Sequence, residues 1–222
     1  MDVKRERNDD GDRIVVRCND QVFGKSLIEL FFRREGLSYV KEFPAGSVSD
    51  PILDRFRSAL LPMLRQTARL ERAPWEDALV QVARRLAGLD WWLAGSAALA
   101  VRGLPIVPRD LDLVVEGDAA LAVGVAFHDV LVEPVVETEG WFCRWFGRAW
   151  VGARIEWVAG VTEAADHPEP TDFGLLAASQ LKDVSWNDLR IRVPPIGLQR
   201  DVSARRGLDD RVALVDAFRG HS

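Results

Sequence analysis

The stretch WWLAGSAALAVRGLPIVPRDLDLVVEG, residues 91–117, decides how this chain is read. WWLA (91–94) predicts a short strand, Gly95-Ser96 a turn, and AALAVRG (97–103) a short helix ending at glycine. LPIVPR is a loop with two prolines, and DLDLVVE (110–116) reads as a second strand. Strand side chains alternate between faces, so Asp110 and Asp112 share one face and Leu111, Leu113 and Val115 the other. The leucine face suits a core. The acid face must meet water, a cation or a basic partner, because a buried unpaired carboxylate is costly.

Two same-face carboxylates are hard oxygen ligands of the kind a pair of Mg²⁺ ions can use. Two-metal sites clamp an in-line phosphoryl displacement. Alone, D-x-D also describes solvated acids on an edge strand; the neighbouring turn separates the two readings. A Gly-Ser turn that opens a helix offers backbone N–H groups to a phosphate. Gly95 allows close backbone approach, and Ser96 adds a hydroxyl. An anion cradle beside a cation site is what a nucleoside triphosphate with magnesium needs. A third acid is expected, and Glu156 in ARIEWVAG is the best candidate, since it projects from the face opposite Ile155 and Trp157. Glu116 reads as a surface acid, Glu133 precedes a proline, and Glu137 and Glu139 lie near a turn.

Outward from this stretch, residues 1–12 read as a disordered start. RIVVR (13–17) and SYVKEF (38–43) suggest strands, and SLIELFF (26–32) fits a strand or a buried helical turn. Asp50 as N-cap and Pro51 at the first helical position open a helix with a kink or break at Pro62. WEDALVQVARRLAGLD (75–90) is a helix with Gly88 at its end. Asp118 can cap a helix over 119–130. VLVEPVVE (130–137), WFCRWF (141–146) and AWVGARIEWVAG (149–160) read as strands, the last two joined by a turn around Gly147-Arg148. LRIRV (189–193) is one more strand, Pro195 opens a helix through Arg206, and 209–218 form a final helix. This order predicts an α/β (α+β) class: a mixed, twisted sheet with helices packed on one face.

Of 222 residues, 48% are hydrophobic and 28% charged, so a sizeable core and a soluble surface are both expected. No apolar run approaches the ~20 residues of a membrane helix. The charged N-terminus lacks a secretory apolar stretch, so a cytoplasmic location without a membrane partner is expected. Cys18 and Cys143 read as two buried thiols, with a disulfide as the other option. His128, His167 and His221 are scattered and form no zinc pattern. The net charge of −5 is uneven: residues 1–74 carry 14 Lys+Arg against 12 Asp+Glu, and residues 75–222 carry 15 against 22. Neither part has the basic excess of a dedicated nucleic-acid binder. Trp141, Trp145, Trp150 and Trp157 cluster around the expected hairpin, as packing residues or as a stacking surface for a base or an aromatic acceptor.

LAGS (93–96), DLDL (110–113) and IEW (155–157) together resemble the nucleotidyltransferase superfamily, which includes DNA polymerase β and the small bacterial antibiotic- and toxin-type enzymes. The resemblance covers roughly residues 75–218 and extends to the tail, VPP (193–195) and GLQRDVSARRGLDDRVALVDAF. It implies a nucleotidyltransferase domain over 75–222, preceded by an unassigned accessory segment, 1–74. It implies Mg²⁺, two ions, at Asp110, Asp112 and Glu156, with Glu156 helping to deprotonate the attacking hydroxyl. Gly95 and Ser96 would bind the β/γ-phosphates of ATP or another nucleoside triphosphate. Many small relatives carry a lysine near the triphosphate where LQRDVSARR has arginines, which makes Arg200, Arg205 and Arg206 candidate phosphate contacts and Lys182 a weaker one. Arg102 and Arg109 are ambiguous, and Arg109 can simply balance Asp110. The implied reaction transfers AMP to a hydroxyl of a small molecule such as an antibiotic, or of RNA or protein in a toxin-like role, and releases pyrophosphate. The alternative is a non-catalytic nucleotide-binding or toxin–antitoxin interaction module. A homodimer is among the assemblies the sequence permits.

Overall fold

The computed structural model describes residues 1–8, 11–138, 143–161 and 171–220. The chain begins with β1 (Asp2–Asn8), β2 (Gly11–Arg17), α1 (Gln21–Glu29), β3 (Arg33–Glu35), β4 (Ser38–Phe43) and α2 (Asp50–Thr67). Residues 2–8, expected to be disordered, instead pair along their whole length with β2. Their charges find partners on the sheet surface: Lys4 with Glu6, Arg13 with Glu6, and Arg5 with Asp50. Within SLIELFF, SLIE (26–29) lies in a helix rather than a strand, because the Asp20 side chain caps α1 by accepting from the N–H groups of Val22 and Phe23, and Leu30–Phe32 form the turn that ends it. The strands run in the antiparallel order β1-β2-β4-β3. Ile14, Val16, Tyr39 and Phe43 pack on Leu27 of α1 and on Phe56, Leu60 and Leu64 of α2. α2 opens one residue earlier than expected, with Ser49 as N-cap, and continues through Pro62.

The remaining elements are α3 (Trp75–Arg85), β5 (Trp91–Ala94), α4 (Gly95–Ala100), β6 (Asp110–Val115), α5 (Ala119–Ala126), β7 (Leu131–Glu137), β8 (Cys143–Trp150), β9 (Arg154–Val161), α6 (Leu175–Ala178), β10 (Lys182–Trp186), β11 (Leu189–Val193), α7 (Ile196–Arg205) and α8 (Asp209–Arg219). β5, β6, β9, β8 and β7 form a five-stranded sheet in that order. Only the β6–β9 neighbours run parallel; the other three pairs are antiparallel. The core face carries Leu93, Leu111, Leu113, Val115, Ile155, Trp157 and Ala159, and α3, α4 and α5 cover it. The opposite face is met by α2 against β7 and by Phe173, Ala178 and Leu181 against Trp92 and Val114. The acids lie on this second face, between those two coverings.

The turn expected at Gly147-Arg148 is not there. Both residues sit inside β8, paired with Trp157 and Glu156, and the chain reverses at residues 151–153 instead. Gly147 is a packing glycine: a Cβ there would overlap the Trp157 ring. Trp157 itself is fully buried, packs tilted against Phe127 with ring centres 5.7 Å apart and donates its indole N–H to Ala120 O. Trp145 and Trp150 are half-buried, whereas Trp141 and His167 lie outside the described residues. Cys18 and Cys143 are both free thiols; only Cys143 is buried, and burial pushes its thiol up to about 12. No helix among the described residues is long and apolar enough to cross a membrane.

Candidate active site

Parallel pairing of β6 with β9 sets the geometry. Asp110 lies opposite Arg154, and Asp112 lies opposite Glu156. Across the other edge of β9, Glu156 lies opposite Arg148. The three carboxylates named from sequence are therefore on one face of two adjacent strands, with two arginines among them. Arg154 pairs with Asp110 through Nη2 and holds Nε 3.2 Å from Glu156 Oε1. Its Nη1 donates to Thr67 Oγ1 at 3.1 Å, at the end of α2. Arg148 donates Nε to Glu156 Oε1 at 2.7 Å and Nη1 to Glu133. Neither arginine pairs with Asp112.

These contacts split the acids electrostatically. Burial pushes the Asp112 carboxyl well above the usual carboxylate range, and the nearby Asp110 and Glu156 add to the shift. Burial acts on Glu156 in the same direction, but Arg148 and Arg154 overcome it and hold its carboxyl down at about 2. The donor set is hard oxygen, and Mg²⁺ ordinarily takes one or two carboxylates plus substrate phosphates and water rather than an all-protein cage. Asp110 and Asp112 fit that requirement, and a cation there would relieve the crowding that disfavours charge on Asp112. Among the described residues, however, no three His, Cys, Asp or Glu side chains are grouped closely enough to hold a metal by themselves.

Gly95 opens α4 directly beside this row. Its φ of 62° is left-handed, and a Cβ would overlap Asp112 Oδ2, so only glycine fits. Its N–H was expected to be free for a phosphate. Instead it donates to Asp172 Oδ2 at 3.1 Å. Gln199 Nε2 donates to Gly95 O at 3.1 Å and reaches the same Asp172 oxygen at 3.5 Å. An anion thus already sits where the turn's donor points, and the anion is the protein's own. Ser96 is half-buried next to it.

The tail arginines separate. Arg200 is bound to Asp216 at 2.6 and 2.8 Å, and Arg205 is exposed on the last turn of α7. Arg206 is exposed too, but lies close enough to Arg211 of α8 to repel it. Arg211 is the cation that feels Asp172, Asp112 and Asp110 together; its guanidinium is lowered by burial and by Arg206, against the pull of those acids. Lys182 is exposed on β10. Arg102 is a structural residue, donating to Ala98 O and Pro194 O. Arg109 turns away from Asp110 to Glu29 and to Thr67 O.

Neither a family model nor a curated protein matches the chain. Among solved structures, one described as "a putative nucleotidyltransferase" from Thermotoga maritima is similar, with a TM-score of 0.51 and 16% identity over 67% of this chain and 94% of that one. This chain has the nucleotidyltransferase fold. Within that fold, the charged residues around the acids that the sequence does not single out are Arg148, Arg154, Lys41, Asp172 and Arg211, while Glu133, expected only as an acid before a proline, joins them. Two of them carried a signal. Lys41 shares strand parity with Tyr39 and Phe43, a cation on an otherwise apolar face, and Arg148 is flanked at two residues either side by Phe146 and Trp150, although Arg144 shares its parity. Asp172 and Arg211 reach the row of acids only through tertiary packing, which leaves no local pattern.

Proposed function

We propose that the chain is a magnesium-dependent nucleotidyltransferase that moves AMP from ATP onto an acceptor hydroxyl and releases pyrophosphate. The observation that carries this reading is the in-register row of Asp110, Asp112 and Glu156 on two parallel strands, beside the left-handed Gly95 that opens α4. Asp110 and Asp112 would hold the metal, and Glu156 would complete the site. Bound there, magnesium supplies positive charge to the phosphate oxygens at the reacting centre. Glu156 would help to take the proton of the attacking hydroxyl, although Arg148 and Arg154 lower its carboxyl and make it a weak base. The Gly95 N–H and the Ser96 hydroxyl would meet the β/γ-phosphates, with Asp172 giving up its hold on Gly95 as a phosphate oxygen arrives. Arg211, which feels the charges of Asp172, Asp112 and Asp110, would add cationic charge near the triphosphate. Alignment and fixed charge then supply most of the rate.

The acceptor is a small hydroxylated molecule such as an antibiotic, or RNA or protein in a toxin-like role. The acidic balance of residues 75–222 favours a cationic small molecule. A second reading, a nucleotide-binding module without transfer, has one observation in its favour: Arg154 sits between Asp110 and Glu156 and occupies them both. Incubation with Mg²⁺ and each of the four nucleoside triphosphates, across an acceptor panel with pyrophosphate detection, separates the two. Release that vanishes in Asp110→Asn/Asp112→Asn supports transfer; release that persists there contradicts this site. Nucleotide binding with no release from any acceptor supports the second reading.

A further inference from the structure

The Glu156 carboxylate is held by a buried row of charges that begins in the N-terminal sheet. Lys41 of β4 sits 2.5 Å from Glu133 Oε2, and the other Glu133 oxygen takes Arg148 Nη1. The opposite side of the Arg148 guanidinium takes Glu156 Oε1 at 2.6–2.7 Å. Glu133 and Arg148 are fully buried. Both cations also donate to one carbonyl, Leu30 O, each at 3.3 Å. That carbonyl is presented by the end of α1, where the chain bonds Phe31 N to Ile28 O and Phe32 N to Leu27 O. This helix ending usually places glycine in the left-handed position, yet here Phe31 occupies it with φ 67°. The strained ending directs the negative end of the α1 dipole at Lys41 and Arg148. Phe31 and Phe146 also lie over both cations, with ring centres 5.3–5.8 Å away.

We propose that Lys41 is a positioning residue for Glu156, acting through Glu133 and Arg148, so that residues 1–74 complete the transfer site rather than merely precede it. The inference rests on the nucleotidyltransferase reading above. Its physical basis is competition for one guanidinium. With Lys41 present, each Glu133 oxygen has its own cation, and Arg148 has one side left for Glu156. Without Lys41, the buried Glu133 is short of positive charge and draws Arg148 to itself, because an uncompensated buried carboxylate is costly. Glu156 then loses the contact that fixes its orientation beside Asp112.

The test measures Mn²⁺ affinity in the full chain saturated with non-hydrolysable α,β-methylene ATP, in the wild type, Lys41→Met, Lys41→Arg, Glu156→Gln and the Lys41→Met/Glu156→Gln double variant. Lys41→Met should weaken Mn²⁺ about tenfold with nucleotide affinity unchanged, Lys41→Arg should restore most of the loss, and Lys41→Met should add nothing once Glu156 is Gln. Mn²⁺ binding within twofold of wild type in Lys41→Met, or an equal loss with and without Glu156, overturns the proposal while leaving the transfer reading intact. Wild type that binds no Mn²⁺, or Glu156→Gln that binds it normally, instead overturns the assignment of Glu156 to the metal site, and the proposal with it. Should Lys41→Met fail to fold, Lys41→Gln, which keeps a hydrogen-bond donor toward Glu133 but removes the charge, is read by the same criteria.

Discussion

Replacing Arg154 by methionine removes the cation shared by Asp110 and Glu156 and keeps most of the side-chain volume. Its Nε lies 3.2 Å from Glu156 Oε1. At an effective dielectric constant of 20, that contact alone is worth about 5 kcal/mol of attraction. The desolvation of a nearly buried guanidinium offsets part of this, and breaking a buried ion pair typically costs about 3–5 kcal/mol because the partner is left uncompensated. For a chain of this size each kcal/mol corresponds to roughly 2–4 °C in Tm, so Arg154→Met should melt about 6–20 °C below the wild type in metal-free buffer. The same change leaves Asp110 without its cationic partner beside Asp112, while Glu156 keeps only Arg148. Added Mg²⁺ should therefore raise the Tm of Arg154→Met far more than that of the wild type, by about 2.7 kcal/mol of stability at a hundredfold excess over its Kd. Thermal denaturation of both proteins with EDTA and across a Mg²⁺ series measures this directly. A variant that melts within 2 °C of the wild type, with ~2 °C as the scale of a minor surface change, or one that gains no more from Mg²⁺ than the wild type does, refutes the view that Arg154 neutralises a cation site.

Asp112→Asn should stabilise the fold at neutral pH while abolishing transfer. The Asp112 carboxyl is raised in the folded chain, so the unfolded state ionises first, and the penalty grows as pH rises from 3.8 through the folded value; urea midpoints should favour the variant at pH 7.5 and converge near pH 3.8. Gly95→Ala places a Cβ into Asp112 at a left-handed position and should cost about 1–3 kcal/mol, with nucleotide binding by calorimetry lost even where circular dichroism reports a folded chain. Arg211→Met should weaken ATP binding about 10- to 150-fold, the loss of one charge-assisted contact of ~1.5–3 kcal/mol, whereas Arg205→Ala should leave the affinity within about twofold; equal effects of the two would remove Arg211 from the triphosphate side.

Where one local pattern decides a structure, the sequence was readable. The period of two in DLDLVVE put Asp110 and Asp112 on one face, the flanking Ile155 and Trp157 put Glu156 on a face of its own, and the Gly-Ser turn predicted β5 followed by α4. Polar segments defeated it. DVKRERN has no apolar face of its own, and it forms β1 because β2 supplies a pairing edge and its charges find surface partners. Gly147-Arg148 mimics a turn by composition, yet the glycine makes room for Trp157 and the arginine is buried between two glutamates. Glu133 precedes a proline and has no local pattern to mark it; its ion pair with Lys41 spans 92 residues of sequence. The acids of the site were thus legible one strand at a time. The cations that hold them were not, because each pairing spans separate elements.

Transfer of label from α-³²P-ATP tests the central claim most directly. With Mg²⁺ and an acceptor that supports pyrophosphate release, label should become covalently attached to that acceptor by the wild type. Chelation with EDTA and the Asp110→Asn/Asp112→Asn variant should each reduce attachment to background. Label transferred at the wild-type rate by that double variant would contradict the account.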